Sequence, residues 1–231
     1  MSLRSRVLAA LDTVYDPELD EPITTLGFVG SCVVDEHGDV AVRIRLPTPQ
    51  CAPNFAFLMA ADARAAVRRL PEVREVSIVL EDHYTGEEIN TALARGDGFD
   101  SAFPGETAGD LNALRELFQR KALLARQARA CQALLDDGAT PETVVERRVS
   151  DLPDTPDAVR AVALRAALGL PHDADAPALI AGDGASLTVS DLPTWLRRAR
   201  LVSLSLEANG GMCRDLLRTR YGNTDQEEIA S

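Results

Sequence analysis

The stretch "RLPTPQCAPNFAFLMAADARAAV" (residues 45–67) joins a predicted strand to a predicted helix and places one cysteine, Cys51, at the junction. Ahead of it, "DVAVRIRL" (residues 39–46) alternates apolar and polar side chains, which is the period of a half-buried strand. After it, apolar residues recur at helical spacing over residues 53–70. The junction is therefore a proline-rich turn that delivers a thiol to the start of a helix.

The segments on either side of this turn complete a small domain. Residues 3–15 carry apolar side chains three or four positions apart, which predicts an amphipathic helix. Residues 27–34 and 72–82 are rich in β-branched residues and predict two further strands. The order helix, strand, strand, helix, strand predicts an α+β fold, a small two-layer α-β-β-α-β domain.

A glycine-rich and acidic stretch, "ARGDGFDSAFPGETAGD" (residues 94–110), interrupts the periodic pattern and predicts a domain boundary. We expect an α+β domain over residues 1–105 and a mainly helical domain over residues 106–231. Within the second domain, "GDG" (residues 182–184) predicts a short hairpin.

Capping residues set the ends of the later helices. Thr140 and Thr155 each precede a proline, a combination typical of helix starts. The sequence "NGG" (residues 209–211) predicts a break between two helices near the C-terminus. The last residues, "NTDQEEIAS" (residues 223–231), predict disorder.

Charge and composition exclude several classes of function. The formal charge is 24 − 36 = −12, which argues against general nucleic-acid binding and against an anionic membrane surface. No apolar run approaches the roughly 18–20 residues that a membrane span needs, so we expect a cytoplasmic protein. Its cysteines then stay reduced, and without a C-x-x-C pair their spacing disfavours a structural zinc site. These are Cys32, Cys51, Cys131 and Cys213.

The position of Cys51 suits two roles. Unpaired backbone N–H groups and the positive end of the helix dipole favour the thiolate, which is the form that binds metal or attacks an electrophile. The alternative is a small buried apolar residue, as free cysteines often are. Position alone leaves both roles open.

Three segments together carry a family resemblance: "YDPELDEPITTLGFV" (residues 15–29), "VRIRLPTPQC" (residues 42–51) and "LPEVREVSIVL" (residues 70–80). In this order they resemble the small metal–sulfur cluster assembly family that includes SufT and PaaD, over about residues 3–90. In that family an Asp-Pro-Glu motif opens the domain, a threonine-containing turn delivers a cysteine to a helix start, and a Leu-Pro-x-Val-x-x-Val strand closes the core.

The resemblance implies a cytosolic accessory factor, not an enzyme, that helps to mature iron–sulfur or other iron-containing proteins. It makes Cys51 the metal- or cluster-binding residue, with Asp16, Glu18 and Thr48 as supporting motif residues. The implied cofactor is iron or an iron–sulfur cluster, held transiently. A cluster usually takes four protein ligands, so either a client metalloprotein or the cluster-assembly machinery supplies the others, or a homodimer pairs two Cys51 residues.

Two further residues are secondary candidates for metal binding. His83 lies in "EDHYTGEEIN" (residues 81–90), where carboxylates surround it, and histidine together with carboxylates suits iron. The alternative is that His83 has no metal role and is only a loop residue before a helix start. Cys213 follows the predicted helix break. It is either a second exposed thiol or a residue without a function of its own, next to glycines that simply end a helix. Cys32 and Cys131 fall on apolar faces, and we expect both in the core.

The C-terminal half lies outside the resemblance and leaves the function partly open. If this half docks a client protein, it suggests one dedicated client. By analogy with PaaD, that client is a di-iron oxygenase. The alternative function is a non-catalytic scaffold or chaperone-like adaptor in which Cys51 is structural. A cysteine-nucleophile enzyme is disfavoured because no signature of a catalytic base accompanies the cysteine. The C-terminal half also contains a basic surface. It is either a set of solvated helix faces or a binding surface for an acidic partner. Its residues are Arg197, Arg198, Arg200, Arg214, Arg218 and Arg220.

Overall fold

The computed structural model describes residues 1–105 and 109–222, so the predicted disorder of residues 223–231 lies outside the described residues. The helices in these ranges are α1 (Leu3–Leu11), α2 (Pro53–Arg68), α3 (Gly86–Arg95), α4 (Phe99–Ala102), α5 (Gly109–Asp136), α6 (Pro141–Glu146), α7 (Pro156–Ala167) and α8 (Leu192–Tyr221). The strands are β1 (Tyr15–Asp16), β2 (Glu21–Pro22), β3 (Val29–Val34), β4 (Val40–Arg45) and β5 (Val76–Glu81). Within the described ranges, no helix has the length and apolar character needed to cross a membrane.

The chain divides into two compact units. The first unit comprises Met1–Asn112 together with the segment from Ala208 onward, and the second comprises Ala113–Glu207. The predicted boundary between residues 105 and 106 stays a prediction. In the observed division the first segment of the N-terminal unit extends to Asn112, and the end of α8 belongs with this unit as well.

A three-stranded sheet in the order β3-β4-β5 forms the centre of the first unit. The central strand β4 pairs antiparallel with β3 and parallel with β5, and α2 provides the crossover that a parallel pair requires. On β4, Val42 and Ile44 are buried in the core while Ala41 and Arg43 are exposed, as the alternating pattern predicts. The predicted α+β fold class and the element order are confirmed.

A two-stranded ribbon precedes this sheet, and the sequence analysis did not predict it. Strands β1 and β2 pair antiparallel, with Tyr15 opposite Pro22 and Asp16 opposite Glu21. Each strand has only two residues, which is too short for a periodic pattern to appear. Asp16, the first residue of the Asp-Pro-Glu motif, lies in this ribbon and is buried.

The second unit is mainly helical, as predicted. The hydroxyl groups of Thr140 and Thr155 cap α6 and α7 by accepting hydrogen bonds from the backbone N–H groups three residues further on. The predicted hairpin is present as an isolated bridge between Ile180 and Ser186. One buried cluster of this unit comprises Cys131, Val144, Leu179, Leu187 and Leu192.

The predicted helix break at residues 209–211 is wrong, because α8 continues through it without interruption. Gly210 is buried, and a Cβ atom built on it would lie 2.7 Å from Oε1 of Glu21. The missing side chain therefore allows α8 to approach β2 closely. The helix continues even though a glycine inside a helix costs about 1 kcal/mol.

Candidate functional site around Cys51

Cys51 lies in the turn between β4 and α2, where the sequence predicted it. Its side chain is partly buried, and α2 begins two residues later at Pro53. Ala52 occupies the capping position without a side-chain hydrogen bond. The proline lacks an N–H group and so leaves no donor unsatisfied at the first helical position. The structure confirms a thiol between a strand end and a helix start, whereas its role in metal binding stays a prediction.

Hydrogen bonds from two directions hold the cysteine turn. The Thr48 hydroxyl lies 3.5 Å from Sγ of Cys51, and the Cys51 N–H donates to the Thr48 carbonyl at 3.4 Å. From the loop after β5, the Tyr84 N–H donates to the Pro49 carbonyl at 3.1 Å. From the same loop, Nε2 of His83 lies 2.7 Å from the Cys51 carbonyl oxygen. The backbone around the thiol is therefore fixed by two separate segments of the chain.

His83 acts in this arrangement as a positioning residue for the turn. Because a carbonyl oxygen only accepts, Nε2 carries the proton, and Nδ1 accepts from the Thr85 N–H at 3.3 Å and from its hydroxyl at 3.0 Å. Burial, and to a lesser degree the charge of Arg220, lowers the pKa of His83, so the neutral ring persists to lower pH. The predicted metal role of His83 stays a prediction, and it would require one of these hydrogen bonds to break.

The end of α8 lies beside the cysteine turn. Arg220 donates to the Leu46 carbonyl at 3.2 Å and to the Asp82 carbonyl at 2.8 Å. Arg214 forms an ion pair with Glu21 at 2.5 Å. Of the six arginines assigned to a basic surface, Arg214 and Arg220 thus bind distant parts of the chain, and Arg197 and Arg218 bind the nearby Thr194 and Asp215. No sequence signal identifies the two distant pairings, because their partners are 174 and 193 residues away along the chain.

Cys213 is carried on the same part of α8. Like Cys51, it is partly buried and packs against the core of the first unit. Burial, followed by the negative charges of Asp16, Cys51 and Glu18, raises the pKa of Cys213 to about 11, against the opposing charge of Arg214. The structure therefore brings four of the predicted site residues within electrostatic reach: Asp16, Glu18, Cys51 and Cys213.

Asp16 is the most strongly perturbed carboxyl group of this region. Its Oδ1 atom accepts hydrogen bonds from the N–H groups of Glu18 and Leu19, at 2.8 and 2.9 Å. Burial raises the pKa of Asp16 to about 6, although these two hydrogen bonds oppose the rise. At neutral pH the fold therefore holds a buried carboxylate at a cost in stability.

We predict that Asp16→Asn makes the protein more stable at pH 7 and flattens its pH dependence. The folded protein keeps a proton on Asp16 between pH 4 and pH 6 that the unfolded chain has lost, so wild-type stability falls as the pH rises through this window. A rise in pKa of this size corresponds to about 2–3 kcal/mol above pH 6. An asparagine oxygen accepts the same two hydrogen bonds without carrying a charge.

Urea unfolding at pH 4, 5, 6 and 7 measures this effect. Asp215 is exposed, so Asp215→Asn is the matched control, and its stability should have the same pH dependence as that of the wild type. An unchanged pH slope in Asp16→Asn would contradict the assignment of the slope to this buried carboxyl group.

The remaining two cysteines lie away from this site. Cys32 and Cys131 are buried, as expected, and burial raises the pKa of both thiols, that of Cys131 to about 11. Within residues 1–105 and 109–222, no group of three or more His, Cys, Asp or Glu side chains is arranged to hold a metal ion. A metal bound at Cys51 therefore needs further ligands or a rearrangement.

Comparison with known proteins adds an independent observation. Residues 4–78 match the sequence profile of a family described as "Iron-sulfur cluster assembly protein". This range contains the ribbon, the sheet and the cysteine turn up to Ile78, whereas the end of α8 lies outside it.

Individual relatives cover the same N-terminal part. An uncharacterised protein of Methanocaldococcus jannaschii is 33% identical over 93 residues, 40% of this chain and 96% of that protein. An Fe-S protein maturation auxiliary factor of Bacillus subtilis, YitW, is 31% identical over 91 residues, 38% of this chain and 87% of that protein. An iron–sulfur cluster carrier protein of Deinococcus radiodurans is 36% identical over 77 residues, 33% of this chain and only 21% of that protein.

Proposed function

The chain belongs to the iron–sulfur cluster assembly protein family, and from this membership we propose that it is an accessory factor that takes up iron or an iron–sulfur cluster at Cys51 and passes it to a client protein. The observation that carries the proposal is the cysteine turn itself. The loop after β5 fixes its backbone through the Pro49 and Cys51 carbonyls, while Cys51 itself stays partly exposed. The names of two relatives, a cluster carrier and a maturation auxiliary factor, support this role.

The donor groups near Cys51 fit iron as a cargo. A thiolate is a soft ligand that suits iron and iron–sulfur clusters, and carboxylates also bind iron. Binding requires the Cys51 thiol to release its proton to solvent as the sulfur–iron bond forms. A single thiolate holds iron less firmly than a complete four-cysteine site. Such a site suits transient holding, as a non-catalytic carrier requires.

We further propose that the second unit docks the client. A groove of about 440 Å³ in this unit combines the apolar side chains of Ala128 and Leu196 with the charged side chains of Arg129, Arg197 and Arg200. In a chain of charge −12 this local basic surface favours an acidic segment of a partner. By analogy alone, the client is a di-iron oxygenase.

Transfer from the loaded chain tests the carrier function. The reduced full-length protein is incubated anaerobically with ferrous iron and sulfide, desalted, and mixed with an acidic apo-ferredoxin in the presence of an iron chelator. We expect the ferredoxin to gain its cluster absorption, because cargo passed directly between proteins escapes the chelator. If the chelator suppresses transfer as completely as it does from free iron and sulfide, the carrier proposal fails.

We predict that the double variant Arg197→Glu, Arg200→Glu loads iron normally and transfers it more slowly. Both side chains are exposed in the groove, so reversing their charge repels an acidic partner without changing the cysteine turn. The rate of the same ferredoxin assay should fall by about tenfold at low salt, and the difference should shrink as salt screens the charges. Arg198→Glu, an exposed residue of α8 that does not line the groove, is the control. Equal rates for the double variant and the control would contradict docking at this groove.

A further inference from the structure

We propose that Arg220 is a positioning residue for the cargo that Cys51 binds, because it fixes the two backbone segments that enclose the cysteine turn. This inference rests on the proposed carrier function and adds to it a residue that acts through the backbone without contacting the cargo. The part of the chain that matches the family, residues 4–78, does not contain Arg220, so the C-terminal extension contributes this contact.

Arg220 binds the chain where the pairing of two strands ends. Strands β4 and β5 are paired in parallel up to Arg45 and Glu81, and the next residues are Leu46 and Asp82. The guanidinium group of Arg220 donates to the Leu46 carbonyl at 3.2 Å and to the Asp82 carbonyl at 2.8 Å. A planar guanidinium presents several N–H donors in a fixed geometry, which suits the binding of two carbonyls at once. Arg220 therefore joins the two segments at the point where they separate into the cysteine turn and the loop after β5.

Further contacts from the same end of α8 hold Asp82 in place. The Tyr221 hydroxyl donates to Oδ2 of Asp82 at 3.1 Å, and the guanidinium of Arg220 lies 3.8 Å from the same oxygen. Asp82 has φ of +50°, in the left-handed region that is uncommon for residues other than glycine. A backbone conformation of this kind persists only where its surroundings hold it. The last two residues of α8 therefore fix the start of the loop after β5.

The loop after β5 carries this constraint to Cys51. Nε2 of His83 lies 2.7 Å from the Cys51 carbonyl oxygen, and the Tyr84 N–H donates to the Pro49 carbonyl at 3.1 Å. On the other side, two prolines within residues 46–51 restrict the backbone of the turn. The turn is thus held both along the chain and from the loop, and Arg220 contacts the segments on both sides.

Arg220 influences the cargo through these contacts alone. A guanidinium group has no lone pair for a metal ion and keeps its charge at every ordinary pH. A thiol on an ordered backbone binds a metal without the entropic cost of ordering the turn, whereas a mobile turn loses affinity by that cost. We therefore expect the loss of Arg220 to weaken retention of the cargo and to speed its release.

Labelling of the iron-free, full-length chain with iodoacetamide tests the positioning role without any cargo. In Arg220→Ala, Cys51 should react at least about tenfold faster than in the wild type, because a hydrogen bond from a charged donor contributes at least that factor to keeping a local structure closed. Loss of a nearby positive charge favours the less reactive thiol form. Faster labelling therefore reports motion of the turn and not the change in charge.

Two controls accompany this measurement. Arg218→Ala removes an exposed arginine of α8 that pairs with Asp215, and its Cys51 should label at the wild-type rate. The buried Cys32 lies in the same unit and should label slowly in every variant, as expected when that unit stays folded.

Loading and transfer test whether the positioned thiol serves the cargo. After anaerobic incubation with ferrous iron and sulfide, Arg220→Ala should retain iron about tenfold more weakly than the wild type, at the lower end of the range for outer-shell partners of a metal site. The loaded chains should pass their iron to apo-ferredoxin faster, counted per loaded chain. A merely unstable variant would load fewer chains and leave this rate unchanged. An unchanged rate per loaded chain would therefore overturn the inference.

The labelling outcomes separate this inference from the carrier function. If Cys51 labels at equal rates in Arg220→Ala and in the wild type, the positioning role fails, whether or not the chain carries iron. If Cys51 labels faster but a Cys51→Ser chain still loads iron in full, the carrier function at Cys51 fails and the hold of Arg220 on the turn stands. Should Arg220→Ala fail to fold, Tyr221→Phe decides the question, because it removes only the hydroxyl group that binds Asp82. It should also speed labelling of Cys51, by a smaller factor, and an unchanged rate would overturn the inference.

Discussion

Replacing Cys51 with serine is expected to abolish iron–sulfur loading while leaving the fold intact. The serine hydroxyl is close in size to the thiol and keeps the contact with Thr48, but it does not deprotonate readily and is a poor ligand for iron. Iron and sulfide bound per chain after anaerobic reconstitution should fall by at least about tenfold, because loss of an outer-shell partner alone costs 10- to 100-fold. The measurement is elemental analysis of the desalted protein.

Cys32→Ala provides the control for this substitution, because Cys32 is a buried thiol of the same unit that faces the core. It should load iron as the wild type does. If Cys51→Ser loads and transfers iron undiminished, the relay role of Cys51 fails. The alternative function, a scaffold in which Cys51 is structural, would then account for the turn better.

Replacing Arg165 with methionine is expected to destabilise the second unit by about 3 kcal/mol or more, because each buried acceptor left unpaired costs about 1–3 kcal/mol. The side chain of Arg165 is fully buried in α7. It donates to the Pro177 carbonyl at 2.7 Å and also to the Ala178 carbonyl and the Gln127 side chain. Methionine fills much of the volume, but it leaves the Pro177 and Ala178 carbonyls without this donor, whereas the Gln127 oxygen still accepts from the Ile180 N–H at 3.1 Å. Removing the buried charge returns part of the loss, since burial lowers the pKa of Arg165 to about 10.

The single tryptophan, Trp195, reports this loss specifically. It packs against the buried cluster of the second unit, so its fluorescence follows unfolding of that unit. Urea titration of Arg165→Met should give a lower midpoint than the wild type. The exposed Arg198→Met in the same unit should leave the midpoint unchanged. A midpoint in Arg165→Met equal to that of the control would show that the carbonyl groups find other partners.

Local patterns predicted the elements of the fold because their causes are local. The alternation on β4 reflects one buried face, and it identified Val42 and Ile44 as core residues. The threonine caps at Thr140 and Thr155 satisfy N–H groups within the same turn, so the helix starts were visible in the sequence. These features depend on neighbours a few positions away and leave a periodic signal.

The features that sequence reasoning missed depend on distant contacts. "NGG" predicts a helix break from local propensity, whereas α8 continues through these residues with Gly210 close to Glu21. His83 donates a hydrogen bond to the Cys51 carbonyl from 32 residues away, and no sequence motif predicts that hydrogen bond. The cysteine turn was therefore predictable as a local element, but the residues that surround it were not.

If Cys51 itself holds the cargo, the rate at which its thiol is alkylated must fall on loading and recover on transfer. The wild-type chain is treated with iodoacetamide in three states: free of iron, loaded with iron and sulfide, and after transfer to apo-ferredoxin, with each cysteine quantified by mass spectrometry. We expect loading to protect Cys51 and transfer to restore its reactivity, while the buried Cys32 and Cys131 label slowly throughout. If Cys51 labels at the same rate in all three states, it does not hold the cargo.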